Sequence, residues 1–333
     1  MKFSSVAIVG TGSFGTAVST LLAPKLGQVI LIGRNAEIAK SINESHRNPQ
    51  YLSSVGLAEN VTACTELDVV KDHSLIVFAV PTGATRDCAE MIKGIGISKD
   101  TVILSCAKGI EKSTGERMSE ILSGIFPENP VAVLSGPNHA EEMAIGQATC
   151  AVIGSEDMSV AESLQDLFTL PFFRPYTSND LAGIELGGAI KNVYAIAAGI
   201  SHGLGLGDNA VAALVTRALA EMSRLGTALG GKIETFAGLS GVGDLIVTCF
   251  SEHSRNHRVG LALGKGQTLE EAIQSLGMVA EGVPNTLSIH EAARKAGVRT
   301  PIIDAVYSIL YENQPAARAM QDLLSRDTRT ECE

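Results

Sequence analysis

The sequence predicts an α/β fold: an N-terminal, doubly wound, mostly parallel sheet followed by an all-α C-terminal domain. Three observations predict it. Short β-branched runs alternate with helical segments through the first half of the 333-residue chain, the pattern of a parallel sheet covered on both faces. The first run, Val6-Ala7-Ile8-Val9, passes straight into Gly10-Thr11-Gly12-Ser13-Phe14-Gly15, a G-x-G-x-x-G turn between a strand and a helix. From about residue 180 the β-rich pattern stops and long helical periodicity takes over. The expected division is therefore a Rossmann-like, dinucleotide-binding domain over 1–180 and an all-helical domain over 181–333.

Strands are expected at 6–9, 28–32, 61–63, 75–80, 101–106, 131–135 and 148–153, with a further extended piece near Phe172–Tyr176. The helix after the glycine turn is read from Phe14, Ala17, Val18, Leu21 and Leu22, which fall at i, i+3, i+4, i+7 and i+8. In the second half a helix spans about Leu181–Ile200. Another opens near Asp208 as N-cap, with Val211, Leu214, Val215, Ala218, Leu219 and Met222 on one stripe. Thr268 and Glu271 have capping-box spacing. Thr300-Pro301 places proline at the first position of a further helix, with Val306, Ile309 and Leu310 inward. The polar end from Ser325 to Glu333 reads as frayed.

Composition excludes several classes. A formal net charge of −10 gives no basic field for nucleic acid or an anionic membrane, so an anionic ligand must be caught by local cations. The 6 cysteines form no C-x-x-C pair and no cluster with histidine, which points to reduced thiols, no disulfide framework and no metal. No window has the ~20 uninterrupted apolar residues of a membrane span, and Lys2 precedes a short strand rather than the apolar run of a signal peptide. A cytoplasmic protein is expected.

The glycine loop implies a dinucleotide. Gly10 allows the tight turn, Gly12 lets backbone approach a pyrophosphate, and Gly15 lets helix and strand pack closely; free N–H groups at Ser13 and Phe14 then face the phosphates. The second strand ends at Gly33-Arg34-Asn35, where an acidic residue would accept bonds from the ribose of NAD. A guanidinium there suits a 2′-phosphate, so NADP(H) is the favoured cofactor and NAD(H) the alternative. The other reading of Arg34 is a solvated charge over the adenine face.

On the 181–200 helix, Leu186, Ala189, Ile190, Val193, Tyr194 and Ala197 form a stripe of apolar bulk, whereas Ile184, Gly187, Gly188, Lys191, Ala195 and Ala198 form a stripe of mostly small residues. Small residues admit another backbone or a ligand, and they leave Lys191 as the only cation on a face too apolar to be solvated. A desolvated ammonium titrates below its usual range and serves as a general acid or base. The other readings are a snorkelling lysine or one paired with a buried carboxylate. Asp244, in the glycine-rich turn Gly238–Thr248, either orients Lys191 or caps a helix. Ser254-Arg255-Asn256 opens an apolar periodicity, as a phosphate cradle at a helix start would. His139, His202, His253 and His257 show no metal spacing and read as surface or hydrogen-bonded residues.

With these motifs in order, the chain resembles the bacterial NAD(P)-dependent glycerol-3-phosphate dehydrogenases over essentially its whole length. The matching blocks are Gly10–Ala17, Ala107–Glu111, Leu134–Pro137, Lys191–Val193, Gly243–Leu245, Thr248-Cys249 and Ser254–Asn256. The resemblance implies reversible interconversion of dihydroxyacetone phosphate and sn-glycerol 3-phosphate, feeding phospholipid synthesis. It implies that Lys191 is the proton donor and acceptor, Lys108 a second active-site lysine, and Asp244 and Thr248 its neighbours. Gly136, Asn138, Ser254, Arg255 and Asn256 then match substrate contacts. Ser13, Phe14, Arg34, Tyr51, Lys108, Ala140, Arg255, Val279 and Glu281 match cofactor contacts. Bacterial members usually carry Ser or Thr where this chain has Asn138, although eukaryotic relatives have Asn; an amide can still bond a hydroxyl or carbonyl. A homodimer is an expected partner state. The competing readings are a related hydroxy-acid or sugar-acid dehydrogenase, and a non-catalytic NADP(H)-sensing module.

Replacing Arg34 by Asp is expected to lower kcat/KM with NADPH by roughly 10-fold or more, the worth of one charge-assisted hydrogen bond, and to spare NADH. Initial rates with the two cofactors check it.

Overall fold

The computed structural model describes residues 2–326 and residue 330. An eight-stranded sheet is built from β1 (Ser5–Val9), β2 (Gln28–Ile32), β3 (Val61–Cys64), β4 (Leu75–Phe78), β5 (Val102–Ser105), β6 (Val131–Ser135), β7 (Thr149–Ser155) and β8 (Phe173–Ser178). Helices α1 (Ser13–Leu22), α2 (Ala36–Ser45), α3 (Thr85–Ile95), α4 (Met118–Ile125), α5 (Ala140–Ala144) and α6 (Met158–Phe168) alternate with the strands. The helical part comprises α7 (Leu181–Gly203), α8 (Asp208–Ala228), α9 (Ile233–Phe236), α10 (Asp244–Phe250), α11 (Arg255–Gly264), α12 (Leu269–Leu276), α13 (Gly282–Lys295), α14 (Pro301–Tyr311) and α15 (Ala316–Leu324).

The strand order is β3-β2-β1-β4-β5-β6-β7-β8. Every pairing is parallel except β6 with β7. Ile8 lies opposite Leu31 on one side and Val77 on the other, so the order reverses at β1 and the crevice between β1 and β4 opens at the ends that carry the glycine turn. The four residues of β4, Leu-Ile-Val-Phe, are all buried, as helices on both faces require. Side chains of alternate parity feed two apolar clusters. Val6, Ile8, Leu31 and Val77 pack with α1, while Ala7, Val9, Ile76 and Phe78 pack with α3 and α4.

The strand expectations hold within a residue or two, and the extended piece near 172–176 is β8, parallel to β7. Asp208 is corrected: Gly207 is the N-cap of α8 and Asp208 its first residue, with no side-chain cap, because the extended backbone at Gly207 already sets the entry. Val211, Leu214, Ala218 and Met222 of its stripe are buried, while Val215 and Leu219 are half-buried. The Thr268–Glu271 capping box is present in both directions, at 3.2 and 2.8 Å. Pro301 opens α14, and the Glu221 carboxylate of α8 accepts from the next amides, Ile302 and Ile303. Ser325 and Arg326 lie past α15; residues 327–329 and 331–333 of the expected frayed end, with Cys332, lie outside the described residues. Among the described residues the one continuous helical run long and apolar enough to cross a membrane by length and composition, Ile233–Phe250, is broken into α9, a π-type turn over Leu239–Gly243 and α10.

Helix α7 is not amphipathic by size alone: nearly every residue from Leu181 to Ser201 is buried. Its small stripe admits backbone. A Cβ at Gly199 would overlap the His257 carbonyl of α11, and one at Gly260 would overlap the Ile196 carbonyl of α7, so the two helices touch main chain to main chain. Asp180 caps the start of α7, accepting from Gly183 N at 3.0 Å and from Lys232 N at 2.9 Å.

Glu185 ties α7 to the sheet part. Its carboxylate accepts from Ser119 N at 2.8 Å, Ser119 Oγ at 2.5 Å and Arg117 Nη1 at 2.8 Å, all at the start of α4. Burial pushes its pKa up against these partners. Glu185→Ala leaves Arg117 with Glu120 as its remaining carboxylate partner, beside the Ser119 hydroxyl, and is expected to cost about 3 kcal/mol, the lower end for breaking a buried pair. Urea unfolding checks it.

Candidate active site

The nucleotide end of the site is the glycine turn. Gly10 sits at φ +124°, open to glycine but not to side chains, and a Cβ there would strike the Ala79 carbonyl after β4. A Cβ on Gly15 would strike the Gly10 carbonyl, whereas a Cβ on Gly12 would meet nothing within 4 Å. The turn is thus packed against the sheet on one side and open on the other. Gly12 is the N-cap of α1 without a side-chain cap, so the N–H groups of Ser13 and Phe14 have no side-chain acceptor. These are the features a pyrophosphate needs. Helix α5, which Ala140 opens, packs on α1, the helix that follows the turn.

Asn48 braces this turn, and no local sequence pattern announces it. Fully buried, it donates to Thr11 O at 2.8 Å and Thr16 Oγ1 at 2.9 Å, and its oxygen accepts from Gln50 N and Tyr51 N. It therefore ties the glycine turn to the segment carrying Tyr51, which packs half-buried on the sheet core. Arg34 is exposed at the end of β2. The neighbouring Asn35 caps α2, its oxygen accepting from Glu37 N at 2.9 Å, which leaves its NH2 and the Arg34 guanidinium as donors at this end of the strand.

The reactive end is a charged cluster. Lys108, in the loop after β5, donates to Gly136 O, Asn138 Oδ1 and Asp244 Oδ2, each at 2.8 Å. Lys191, on α7, donates to Asp244 Oδ1 at 2.8 Å and Thr248 Oγ1 at 2.7 Å. One carboxylate therefore bridges two ammoniums from opposite parts of the chain. Asp244 is 1% exposed and Lys191 4% exposed, so the pair is cut off from bulk water. Asp244 opens α10 without capping it, and its carboxylate is bonded to both lysines instead. Burial works to raise its pKa, but the two lysines prevail and hold it below the usual value. Lys191 is pulled down to about 8, first by burial and also by Lys108, with Asp244 opposing. The carboxylate-paired reading of Lys191 is thus realised, and its lowered proton affinity suits a general acid.

The ammoniums differ in their free valence. Lys108 has a partner for each of its three protons; Lys191 has two, and a third N–H remains. Asn138, 3% exposed, has a buried amide nitrogen without any partner.

The expected phosphate cradle is only partly free. Ser254 caps α11, accepting from His257 N at 3.2 Å. Asn256 is buried and donates to Asn192 Oδ1 at 2.9 Å while accepting from Gly282 N at 2.8 Å, so its amide is largely taken up by the protein. Arg255 is exposed at the first position of α11, and Nη1 donates to the carbonyl of Val279 at 2.8 Å. Glu281 accepts from Thr82 N, after β4, at 3.0 Å and is raised in pKa by burial. Asn192 and Asn285 both donate to the Lys108 carbonyl, at 3.1 and 2.9 Å. Asn285 and Thr82 escape a reading of the sequence because lone polar residues whose partners lie far along the chain leave no local pattern. Among the histidines, His202 and His257 bond each other at 2.7 Å. Among the described residues no three His, Cys, Asp or Glu side chains converge as a metal site would.

Comparison with known proteins decides the family. Residues 5–161 match the N-terminal part, and residues 180–321 the C-terminal part, of the NAD-dependent glycerol-3-phosphate dehydrogenases. The chain belongs to that family. The glycerol-3-phosphate dehydrogenase [NAD(P)+] of Moorella thermoacetica is 46% identical over 332 residues, covering 99% of this chain and 98% of its own. That of Clostridium perfringens is 45% identical over 329 residues, covering 98% and 99%. A solved glycerol-3-phosphate dehydrogenase from Coxiella burnetii superposes with a TM-score of 0.93 at 36% identity, over 97% of this chain and 99% of that one. A ketopantoate reductase from Ralstonia eutropha shares the fold alone, with a TM-score of 0.62 at 19% identity.

Asn48→Ala removes the brace behind the glycine turn and is expected to weaken NADPH binding by roughly 10-fold, the cost of leaving a buried polar group unmatched. Titration followed by nicotinamide fluorescence checks it.

Proposed function

We infer that this protein is a glycerol-3-phosphate dehydrogenase that reversibly reduces dihydroxyacetone phosphate to sn-glycerol 3-phosphate, with NADPH as the favoured cofactor and NADH as the alternative. The observation that carries the reading is the bridge from buried Asp244 to both Lys108 and Lys191, with one proton of Lys191 left to give. The division at 180/181 separates a cofactor-binding domain from a helical substrate-binding domain, and the cluster lies where they meet.

Gly10, Gly12, Ser13, Phe14, Gly15, Arg34, Tyr51, Lys108, Ala140, Arg255, Val279 and Glu281 would hold the cofactor, whose reduced nicotinamide supplies a hydride when bound. Hydride arrival leaves negative charge on the carbonyl oxygen, and Lys191 delivers a proton to it. Lys108, held beside Asp244, polarises the same oxygen. Asp244 and Thr248 fix the Lys191 amine. Arg255 grips the phosphate, helped by the amides at the start of α11, Ser254 and the remaining N–H of Asn256. Gly136 and Asn138 border the substrate, and the unpartnered Asn138 amide donates to it. Binding energy from the phosphate then orients the reacting carbon. Such an enzyme works in the cytoplasm and supplies phospholipid synthesis, and exposed Ile246 and Phe250 on α10 offer apolar surface for a homodimer.

Adding dihydroxyacetone phosphate to protein and NADPH is expected to consume the nicotinamide absorbance; persistence of that absorbance rejects the reading. Lys191→Ala should lower kcat by about 10²–10⁴-fold, the worth of a general acid together with an oxyanion donor, with NADPH binding intact. The sign of the pH dependence follows from the lysine. Ketone reduction needs the ammonium, so its kcat falls as pH rises through about 8, whereas alcohol oxidation needs the free amine and rises through the same value. Paired pH–rate profiles check it.

A further inference from the structure

His139 follows Asn138 in the loop after β6, and the sequence alone makes it an ordinary hydrogen-bonded or surface residue. Its surroundings are not ordinary. It holds the N-cap position of α5 but makes no side-chain cap. Its Nε2 is buried and has no hydrogen-bond partner. The ring lies within the electrostatic reach of Lys191, Lys108 and Asp244, and the Val247 carbonyl of α10 faces it. On another side it meets the His253 ring, centroid to centroid at 6.3 Å, at the residue just before Ser254-Arg255-Asn256. The imidazole therefore lies within reach of the two-lysine cluster and against the residue that precedes the start of α11.

Burial first, then the neighbouring lysines, hold its pKa down to about 4, so the ring is neutral at working pH. In the neutral tautomer whose ring proton faces the Val247 carbonyl, Nε2 presents a lone pair: it is an acceptor. A buried acceptor without a donor is rare and costly unless a ligand supplies one. Neither ammonium bonds it: Lys108 has three other partners, and the third N–H of Lys191, beyond those to Asp244 and Thr248, makes no hydrogen bond to this nitrogen.

We propose that His139 is a specificity-determining residue whose Nε2 accepts a hydrogen bond from the terminal, non-reacting hydroxyl of the ketone phosphate. The assignment rests on the reaction proposed above and extends it to the hydroxymethyl end of the substrate. A hydroxyl fits this acceptor, whereas a methyl leaves it unmatched and a carboxylate meets it lone pair to lone pair.

The test compares dihydroxyacetone phosphate with acetonyl phosphate, in which a methyl replaces the hydroxymethyl group. Wild-type protein should prefer the hydroxylated ketone in kcat/KM. His139→Leu, which keeps the bulk and removes the acceptor, should lower kcat/KM for dihydroxyacetone phosphate by roughly 10- to 100-fold and leave acetonyl phosphate within about twofold. His139→Gln, which restores a carbonyl acceptor, should recover part of the preference. NADPH titration and thermal unfolding establish that each variant is folded. Equal losses on both ketones, no loss on either, or a wild-type protein that treats the two alike would overturn the assignment; the last needs no variant. Wild-type turnover of dihydroxyacetone phosphate tests the reaction itself, and only the ratio between ketones tests His139, so the two can fail separately.

Discussion

A single buried carboxylate holds two ammoniums, and the site is organised around it. Asp244 comes from the start of α10, Lys191 from the middle of α7, and Lys108 from a sheet loop, so the bridge exists only when the helical part is seated on the strand ends. One negative charge against two positive ones leaves a net cation in a place closed to water. Such an arrangement is costly by itself, because attraction within the triad must offset three desolvations. It is tolerable where an anionic species is to arrive, and that surplus of positive charge is what a developing alkoxide and a phosphate require.

The surroundings hold this triad still through amides at close range and carboxylates farther out. Asn192 and Asn285 converge on the Lys108 carbonyl, Asn256 joins Asn192 to Gly282, and Glu281 reaches Thr82. Farther away, Glu185 pins α7 to α4 with three bonds. Neutral partners add direction without altering the charge balance, which leaves the lysine pair free to set its own proton affinity.

Much of this was legible in the chain. The strands and the glycine turn could be read because parallel strands buried on both faces appear as short apolar runs, and because a tight turn against a neighbouring strand admits only glycine. Lys191 could be read because a cation amid small apolar residues has few ways to be solvated. Asp244 was ambiguous, since the same residue at a helix start serves equally as a cap, and only its contact with lysines 136 and 53 residues away resolves it. Asn256 shows the reverse: a sequence pattern cannot tell whether an amide waits for a ligand or is already satisfied by Asn192 and Gly282. Asn48, Asn285 and Thr82 lay beyond reach for a related reason, as each is defined by partners that local periodicity does not encode.

The contact between α7 and α11 carries a consequence of its own. Gly199 and Gly260 bring the two main chains together with no side chain interposed, so neither helix can slide without a steric clash. One carries the proton-bearing lysine and the other begins at Arg255. On the proposed roles of Lys191 and Arg255, the span between proton source and anion anchor is a dimension of the backbone, a fixed ruler. Changes of side chain then retune how tightly a molecule is gripped, while the distance from its reacting centre to its charged end follows from where two glycines meet.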